Sequence, residues 1–278
     1  MSNSLQTGQF YGATQRTLDT AGIVLTELRH KTGRKLPRHT HESAYFSLLL
    51  DGTYKEQCTS RSAEYGAFTV GFHPPSLTHR DEIGSSGARM LCIELRDDFL
   101  ERMRKYFTDP QFTPDLCGAE TTWLSLKLYR QFKNQTASRL VVEELCADML
   151  ERAACIPVGK ETSMPVWLRR AEELLRASFS EALTLEGVAA AVAVHPIHLS
   201  RVFRRKWGCT LGEFVHRLRI QFACRRLAND DISLGDLAAV LGFADQSHFG
   251  RVFKLHTGQS PAAFRAWIAP HLRPAFSD

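Results

Sequence analysis

The 278-residue chain lacks any long run of apolar residues. Its apolar stretches, such as residues 45–50, are far shorter than the roughly 18 residues that a membrane-spanning helix needs. Residues 1–10 are polar and lack the basic and apolar segments of a secretory signal peptide. We therefore expect a cytoplasmic protein with no membrane partner.

Paired cysteines are absent too. The seven cysteines are scattered along the chain without a C-x-x-C pair: Cys58, Cys92, Cys117, Cys146, Cys155, Cys209 and Cys224. An odd number without metal-binding or redox spacing is typical of reduced, buried thiols in a cytoplasmic protein.

The first three-fifths of the chain carry no net charge. Residues 1–164 hold twenty Lys/Arg and twenty Asp/Glu, whereas residues 165–278 hold fifteen and ten, so the whole excess of +5 lies in the C-terminal part. Clustered positive charge is typical of a module that binds DNA, because neutralising phosphates releases counterions. An excess of five is also compatible with an acidic protein partner.

The C-terminal part contains one motif twice. The segment HLSRVFRR, which starts at His198, matches HFGRVFKL, which starts at His248, at an offset of fifty residues. The apolar positions before them match at an offset of forty-nine, so the second turn has one extra residue. A helix, a short turn and a second helix bearing arginine is the layout of a helix-turn-helix. The duplication predicts two such motifs.

The second helix of each copy has an apolar and a polar face. The apolar positions recur at i, i+3 and i+4: Leu199, Val202 and Phe203, then Phe249, Val252 and Phe253. Thr184 and Ser233 are placed as N-caps of the leading helices, Thr210 with Glu213 is a capping-box sequence, and Pro261 stands at a first helical position. Duplicated faces and caps favour helix-turn-helices over a helical repeat with a solvated surface.

Two signatures within residues 166–268 are highly specific. The second copy reads Q-S-H-F-x-R-V-F-K at residues 246–254 and G-Q-S-P at residues 258–261; the first reads L-S-R-V-F-R at residues 199–204, followed by Gly208. These residues resemble the DNA-binding domain of the AraC/XylS family of bacterial transcriptional regulators. In the first copy, A-V-H-P at residues 193–196 replaces the family's usual glycine, aromatic and serine. The resemblance implies double-stranded DNA and RNA polymerase as partners.

The resemblance also assigns roles within the two recognition helices. It places seven residues at the base edges: Ile197, Ser200 and Arg201 from the first copy, and Gln246, Ser247, Gly250 and Arg251 from the second. Arginine suits guanine and glutamine suits adenine, whereas isoleucine can only touch a thymine methyl and glycine reads nothing. Arg204, Arg205, Lys206 and Lys254 are expected to hold phosphates.

The N-terminal part has the pattern of short β-strands. Apolar or alternating runs cover residues 23–28, 45–50, 54–58, 67–72 and 90–95. Asp51-Gly52 predicts a tight hairpin between the second and third runs, and residues 84–87 predict another turn. Many short strands at this spacing favour a sandwich or a jelly-roll barrel.

A histidine pattern lies within these strands. Gly33, H-T-H at residues 39–41 and Gly52 resemble the first cupin motif, and Gly66 followed by His79 resembles the second. The resemblance implies a cupin-like barrel that can be built around a divalent metal.

The acid of the metal-binding cupins is missing here. Tyr45 occupies the glutamate position, and Glu42 comes too early in the strand to replace it. His39, His41 and His79 remain a candidate metal site, since imidazole suits Zn, Fe, Ni or Cu. The alternative, which we favour from the sequence, is that these histidines and Tyr45 line an effector pocket without metal.

Residues 120–154 predict two helices with a break at residues 134–136. An apolar stripe follows the second helix: Val142, Leu145, Cys146, Met149, Leu150 and Ala153. Such a stripe packs on its own domain or, as the family resemblance favours, serves a hairpin that forms a homodimer. Residues 156–165 have the composition of a linker.

These features predict a multidomain α and β protein. We expect a cupin-like β-barrel over residues 1–116, linker helices and a flexible linker over residues 117–164, and an all-α tandem helix-turn-helix domain over residues 165–272. The expected function is sequence-specific regulation of transcription, controlled by a small-molecule effector in the barrel. Neither enzymatic activity nor a required cofactor is expected, although a divalent metal stays an alternative.

Two rival hypotheses stay open. One is a metal-dependent cupin enzyme with a helical appendage, which metal content and turnover would favour. The other is an architectural DNA protein, against which Gln246 and the paired arginines argue because they suit base edges.

Overall fold

The computed structural model describes residues 3–20, 22–58, 62–104, 119–134, 138–154, 164–207 and 209–272. The chain divides into two compact units, Met1–Val158 and Gly159–Asp278. The predicted boundary at residue 116, the helix break after Asn134, most of the predicted linker, and Gly208 lie outside the described residues. No helix in the described ranges combines the length and the apolar character needed to cross a membrane.

The described strands of the N-terminal unit form one curled sheet, a half-barrel. Their bounds are β1 Asn3–Leu5, β2 Ala13–Thr20, β3 Ile23–His30, β4 His39–His41, β5 Ala44–Cys58, β6 Ser62–Gly66, β7 Thr69–His73 and β8 His79–Leu95. Strand β8 is the centre of the sheet, because it pairs with β3, β4 and β5. Strand β5 pairs in turn with β6 and β7. The sheet therefore curls around an apolar interior, as the predicted cupin-like barrel requires.

The hairpin predicted at Asp51-Gly52 is wrong. Residues 44–58 form one strand that stays paired with β8 on both sides of Gly52, where the register shifts. Gly52 has a φ of 83°, and a Cβ there would lie 2.0 Å from the carbonyl oxygen of Gly87. The glycine serves a β-bulge and a close backbone approach, and not a turn. The turn predicted at residues 84–87 is wrong as well, because those residues lie within β8 beside this bulge.

The described helices of the N-terminal unit are α1 Asp97–Arg104, α2 Ala119–Asn134 and α3 Arg139–Ala154. The stripe predicted on α3 is largely buried in the single chain, with Val142, Cys146, Met149 and Leu150 at most 1% exposed. Because this face is already covered, the stripe packs on its own unit.

A buried carboxylate joins α2 to the sheet. Glu27 on β3 accepts hydrogen bonds from the Tyr129 hydroxyl and from Lys133 Nζ, both at 3.1 Å, and from Arg89 on β8. Burial alone would raise the pKa of Glu27, but the cations of Arg89 and Lys133 hold it below its usual value. The charge of Glu27 is therefore compensated inside the fold.

The C-terminal unit is all-α over the residues that the structure describes. Its helices are α4 Val166–Ala177, α5 Leu185–Ala191, α6 Pro196–Trp207, α7 Leu211–Asn229, α8 Leu234–Val240, α9 Gln246–Thr257 and α10 Pro261–Leu272. The predicted caps are confirmed. Thr184 and Ser233 each accept a backbone N–H of the following helix at 3.0 Å, Thr210 and Glu213 form a complete capping box, and α10 begins at Pro261.

Candidate nucleic-acid interface and buried histidine cluster

The candidate recognition helices α6 and α9 are each held by one apolar face. Leu199 and Phe203 on α6 are fully buried, as are Phe249 and Phe253 on α9. These are the apolar positions that the duplicated pattern predicts. Their burial turns the polar positions of both helices away from the core.

The two helices begin with different caps. Asp245 accepts the His248 N–H at 2.6 Å and so caps α9. In the first copy, His195 Nδ1 accepts the Ile197 N–H at 3.3 Å, and Pro196 is the first helical residue. The unusual sequence before α6 therefore still satisfies a free helix N-terminus.

Most of the residues predicted at the DNA lie on the exposed faces. Seven are exposed: Ile197, Arg201, Arg204, Gln246, Ser247, Arg251 and Lys254. Ser200 and Gly250 are half-buried. Ile197 is 72% exposed, an uncommon state for a large apolar side chain that suits contact with a partner.

Among the residues that the structure describes, the basic side chains on these faces form no internal salt bridges. Within the described ranges, the salt bridges of the C-terminal unit join Arg169 to Glu173, Arg176 to Glu172 and Arg226 to Asp230. The arginines and the two lysines of α6 and α9 take no part in them. Their charge is available to an anionic partner such as a phosphate backbone.

Arg219 on α7 joins the two helix-turn-helices, a role that the sequence did not reveal. It is buried and donates hydrogen bonds to three backbone carbonyls: Phe179 O at 2.7 Å, Gly242 O at 2.8 Å and Glu181 O at 3.0 Å. Gly242 lies in the second turn, whereas Phe179 and Glu181 precede the first motif. Arg219 therefore sets the spacing between the two copies.

His39, His41 and His79 come together inside the half-barrel. His39 and His41 are the ends of the short strand β4, and His79 begins β8 directly opposite His39. All three side chains are buried. One ring nitrogen from each lies within 4.8 Å of those of the other two.

Backbone carbonyls determine the tautomers of two of these rings. His39 Nδ1 lies 2.9 Å from Pro37 O, and His79 Nδ1 lies 3.2 Å from Leu77 O. Because a carbonyl oxygen only accepts, each Nδ1 carries the proton and each Nε2 keeps its lone pair. The Tyr45 hydroxyl donates to Nε2 of His79 at 3.3 Å.

The rings are neutral at pH 7. Burial, together with the neighbouring imidazoles, lowers the pKa of His41 to about 2 and that of His79 to about 3. Burial also lowers the pKa of His39. Neutral imidazole is the form that binds metal.

The sequence did not reveal the acids beside this cluster. Glu42 is exposed, but Glu56 on β5 and Asp81 on β8 have carboxylate oxygens within 4.8 Å of a His79 nitrogen and of each other. His73 Nε2 lies 2.5 Å from Glu56 Oε2. Burial would raise the pKa of Glu56, but His73 lowers it to about 2. Strand alternation could have placed Glu56 on an inner face, two residues from buried Tyr54.

The space among these side chains is small. The cavity, whose lining includes His39, His41, Tyr45, Glu56, His73 and Asp81, measures about 30 Å³. This volume holds an ion or one or two waters, whereas pockets for drug-sized ligands measure roughly 300–1,000 Å³. Among the described residues, His41 Nδ1 and Asp81 Oδ1 are buried without a hydrogen-bond partner. The imidazoles, carboxylates and unpaired atoms suit a divalent transition metal.

Comparison with known proteins supports the assignment of the C-terminal unit as a helix-turn-helix domain. The pattern of a family described as a helix-turn-helix domain matches residues 188–266. The chain is 33% identical over 111 residues to the bifunctional transcriptional activator/DNA repair enzyme AdaA of Bacillus subtilis (strain 168), covering 40% of this chain and 53% of AdaA. It is 37% identical over 86 residues to the probable transcription factor PqrA of Proteus vulgaris, covering 31% of this chain and 70% of PqrA.

A solved structure, ToxT from Vibrio cholerae O395, aligns with 89% of this chain and with 98% of the ToxT chain at 12% identity, with a TM-score of 0.39. The two exposed recognition faces and the sequence relatives define a DNA-binding regulator with tandem helix-turn-helices. The chain belongs to the AraC/XylS family of transcriptional regulators. It spans about half of AdaA, 53%, so the activity of that whole protein does not transfer directly.

Proposed function

We propose that the protein regulates transcription at specific DNA sequences under the control of a small ligand held in the N-terminal half-barrel. The observation that carries this proposal is the pair of exposed helix faces on α6 and α9, each with an arginine that forms no salt bridge to another described residue. One protomer would lay these helices into successive major-groove segments, about one helical turn or 34 Å apart.

Different side chains of α6 and α9 contact the bases and the phosphates. Arg201, Gln246 and Arg251 have the donors that read base edges, and Ile197 offers an apolar contact to a thymine methyl. Ser200 and Ser247 add short hydrogen-bonding contacts. Gly250 leaves open space on its helix face, because nothing lies within 4 Å of a Cβ built there. Arg204 and Lys254 hold phosphates and so position the helices without specifying sequence.

The half-barrel is the site that we propose for the controlling ligand. The buried polar groups of His39, His41 and Tyr45 line its cavity, and buried His79 accepts a hydrogen bond from the Tyr45 hydroxyl. A ligand there changes DNA binding only if it binds the active and inactive arrangements with unequal affinity. Loss of the ligand response without loss of basal DNA binding is the signature expected for these residues.

Three further features complete the proposal. The protein acts in the bacterial cytoplasm, contacts RNA polymerase and forms a homodimer. A dimer would have to use a surface other than the α3 stripe, because that stripe is buried within its own unit. Leu140, at the exposed start of α3, is 64% exposed and remains available.

Selection of bound fragments from genomic DNA tests the proposal. Purified full-length protein is mixed with sheared DNA at physiological salt, and the enriched fragments are sequenced and footprinted. The expected result is a discrete site with two protected segments centred about 10–10.5 base pairs apart. Uniform enrichment of all fragments would contradict sequence-specific regulation.

A further inference from the structure

We propose that the half-barrel binds one divalent transition-metal ion through His39, His41 and His79, with Glu56 as the carboxylate ligand. The inference deepens the proposed function, because it names the chemical class of the controlling ligand. It departs from the expectation of an organic effector. The proposed carboxylate ligand, Glu56, also lies at a different strand position from Tyr45, which occupies the glutamate position of the cupin motif.

The imidazoles are oriented before any ion arrives. The Nδ1 protons of His39 and His79 are engaged by the carbonyls of Pro37 and Leu77. A metal-ligating histidine normally donates its other ring N–H to such an oxygen, which fixes the tautomer and orients the free nitrogen. Two of the three rings thus have the outer hydrogen bond that metal ligands require.

Strand register brings the carboxylate to the histidines. Glu56 and Asp81 are direct partners on β5 and β8, and Cys58 is the partner of His79 two residues further along. This register leaves a Glu56 carboxylate oxygen within 4.8 Å of a His79 ring nitrogen. A carboxylate and an imidazole at this distance can bind the same ion.

His73 holds Glu56 in position. Its Nε2 engages Glu56 Oε2, and its ring stacks on Tyr45 with centroids 4.3 Å apart. Ligating carboxylates are themselves hydrogen-bonded in metal sites. His73 therefore acts as a positioning residue for Glu56.

Two aromatic rings cover the cluster. Phe10 lies 4.8 Å from His41 and Tyr11 lies 4.9 Å from His39, measured between ring centroids. They leave a cavity of about 30 Å³, which suits an ion and excludes most organic molecules. Imidazole with a carboxylate selects ions such as Zn²⁺, Fe²⁺, Co²⁺ or Ni²⁺ over the oxygen-preferring Mg²⁺ and Ca²⁺.

Titration with Co²⁺ tests the donor set. Full-length protein is stripped with a chelator, dialysed and titrated with Co²⁺ while its visible absorption is followed, and Zn²⁺ is then added in competition. The wild type is expected to bind one equivalent. His41→Ala is expected to abolish binding, and Glu56→Gln to weaken it by at least about 10–100-fold.

A matched variant serves as the control. Glu64→Gln removes the same charge from an exposed position on β6. It is expected to keep one equivalent of Co²⁺ with unweakened affinity. Thermal melting of each metal-free variant checks that it folds. If Glu56→Gln does not fold, X-ray absorption of zinc-loaded wild type decides, with three imidazoles and one carboxylate oxygen expected.

The outcomes separate this inference from the proposed function. No stoichiometric ion in the wild type, unchanged affinity in a folded Glu56→Gln variant, or fewer than three imidazoles around zinc overturns the metal site. A discrete DNA footprint would survive each of these results. Metal binding as described that leaves DNA affinity unchanged would support the site and contradict ligand control.

Discussion

Ala193 and Gly242 occupy the same position in the two helix-turn-helix turns, and both have left-handed backbones, with φ of 56° and 71°. Only glycine adopts this conformation without steric cost. At Gly242 a Cβ would also lie 2.1 Å from the carbonyl oxygen of Ser180. The first copy therefore carries a backbone strain of about 1 kcal/mol that the second avoids.

Replacing Ala193 with glycine should relieve this strain. We expect Ala193→Gly to stabilise the C-terminal unit by about 0.5–1 kcal/mol, since glycine's greater unfolded-state entropy offsets part of the gain. Gly242→Ala, the matched change, should cost about 2 kcal/mol or more because of its close backbone contact. Urea denaturation followed by circular dichroism measures both. Destabilisation by Ala193→Gly would show that the turn is not strained.

The base-reading and phosphate-binding roles should separate on α9. Arg251→Ala should cost about 1–3 kcal/mol of binding on the best site and relax the preference at one base pair. Lys254→Ala should weaken all sequences alike and reduce the salt slope by about one unit. Binding titrations over a range of salt, on a site library, distinguish the two. An unaltered sequence preference in Arg251→Ala would refute its base-reading role.

Arg219 should not tolerate lysine. The guanidinium reaches three carbonyls in different directions, and an ammonium cannot reproduce that fork. We expect Arg219→Lys to destabilise the C-terminal unit by about 2–3 kcal/mol and to weaken binding to a two-segment site. Arg217→Lys, on the same helix, is the control and should change little. Equal melting temperatures for the two variants would argue against the bridging role.

The N-terminal unit should lose stability in mild acid. Burial, aided by the charge of Arg34, lowers the pKa of His30 from its ordinary 6.5 to about 4. The unfolded chain therefore takes up this proton at a higher pH than the folded chain does. The stabilisation is fully present above about pH 6.5 and is lost as the pH falls toward 4, by up to about 3 kcal/mol. In metal-free protein, His30→Leu should reduce the dependence of the unfolding free energy on pH between about pH 6.5 and 4. An unchanged dependence would show that His30 does not cause the loss of stability.

The two units should be separable. Cleavage within residues 159–164, the predicted linker, should release a folded C-terminal fragment. The fragment should bind the specific site, more weakly if a dimer normally adds avidity. Limited proteolysis followed by a binding assay measures both properties. A fragment that is unfolded, or binds every sequence alike, would contradict the proposed arrangement.

The C-terminal unit was predictable in detail because its signals are local. Thr184, Ser233 and the Thr210–Glu213 pair lie within three residues of the N–H groups that they satisfy. The buried faces of α6 and α9 follow from helical spacing alone. The bridging role of Arg219 could not be predicted, because its three carbonyl partners lie 23 to 40 residues away.

The β-strand pattern did not distinguish a hairpin turn from a β-bulge at Gly52. A left-handed residue such as Gly52 serves a hairpin turn or a bulge, and both follow an alternating run. Only the neighbouring strand determines whether the glycine forms a hairpin turn or a bulge. Strand β8, which lies beside β5 along almost its whole length, keeps the chain extended through this glycine.

The sequence by itself determined the tandem helix-turn-helices, their caps, their exposed cations and the common facing of His39 and His41. Helical and strand periodicity, together with capping, depends on residues only a few positions apart. Tertiary structure alone placed Glu56 beside His79 and Asp81. Its position there depends on the register between β5 and β8, which a shift of one residue would reverse, and no local pattern encodes that register.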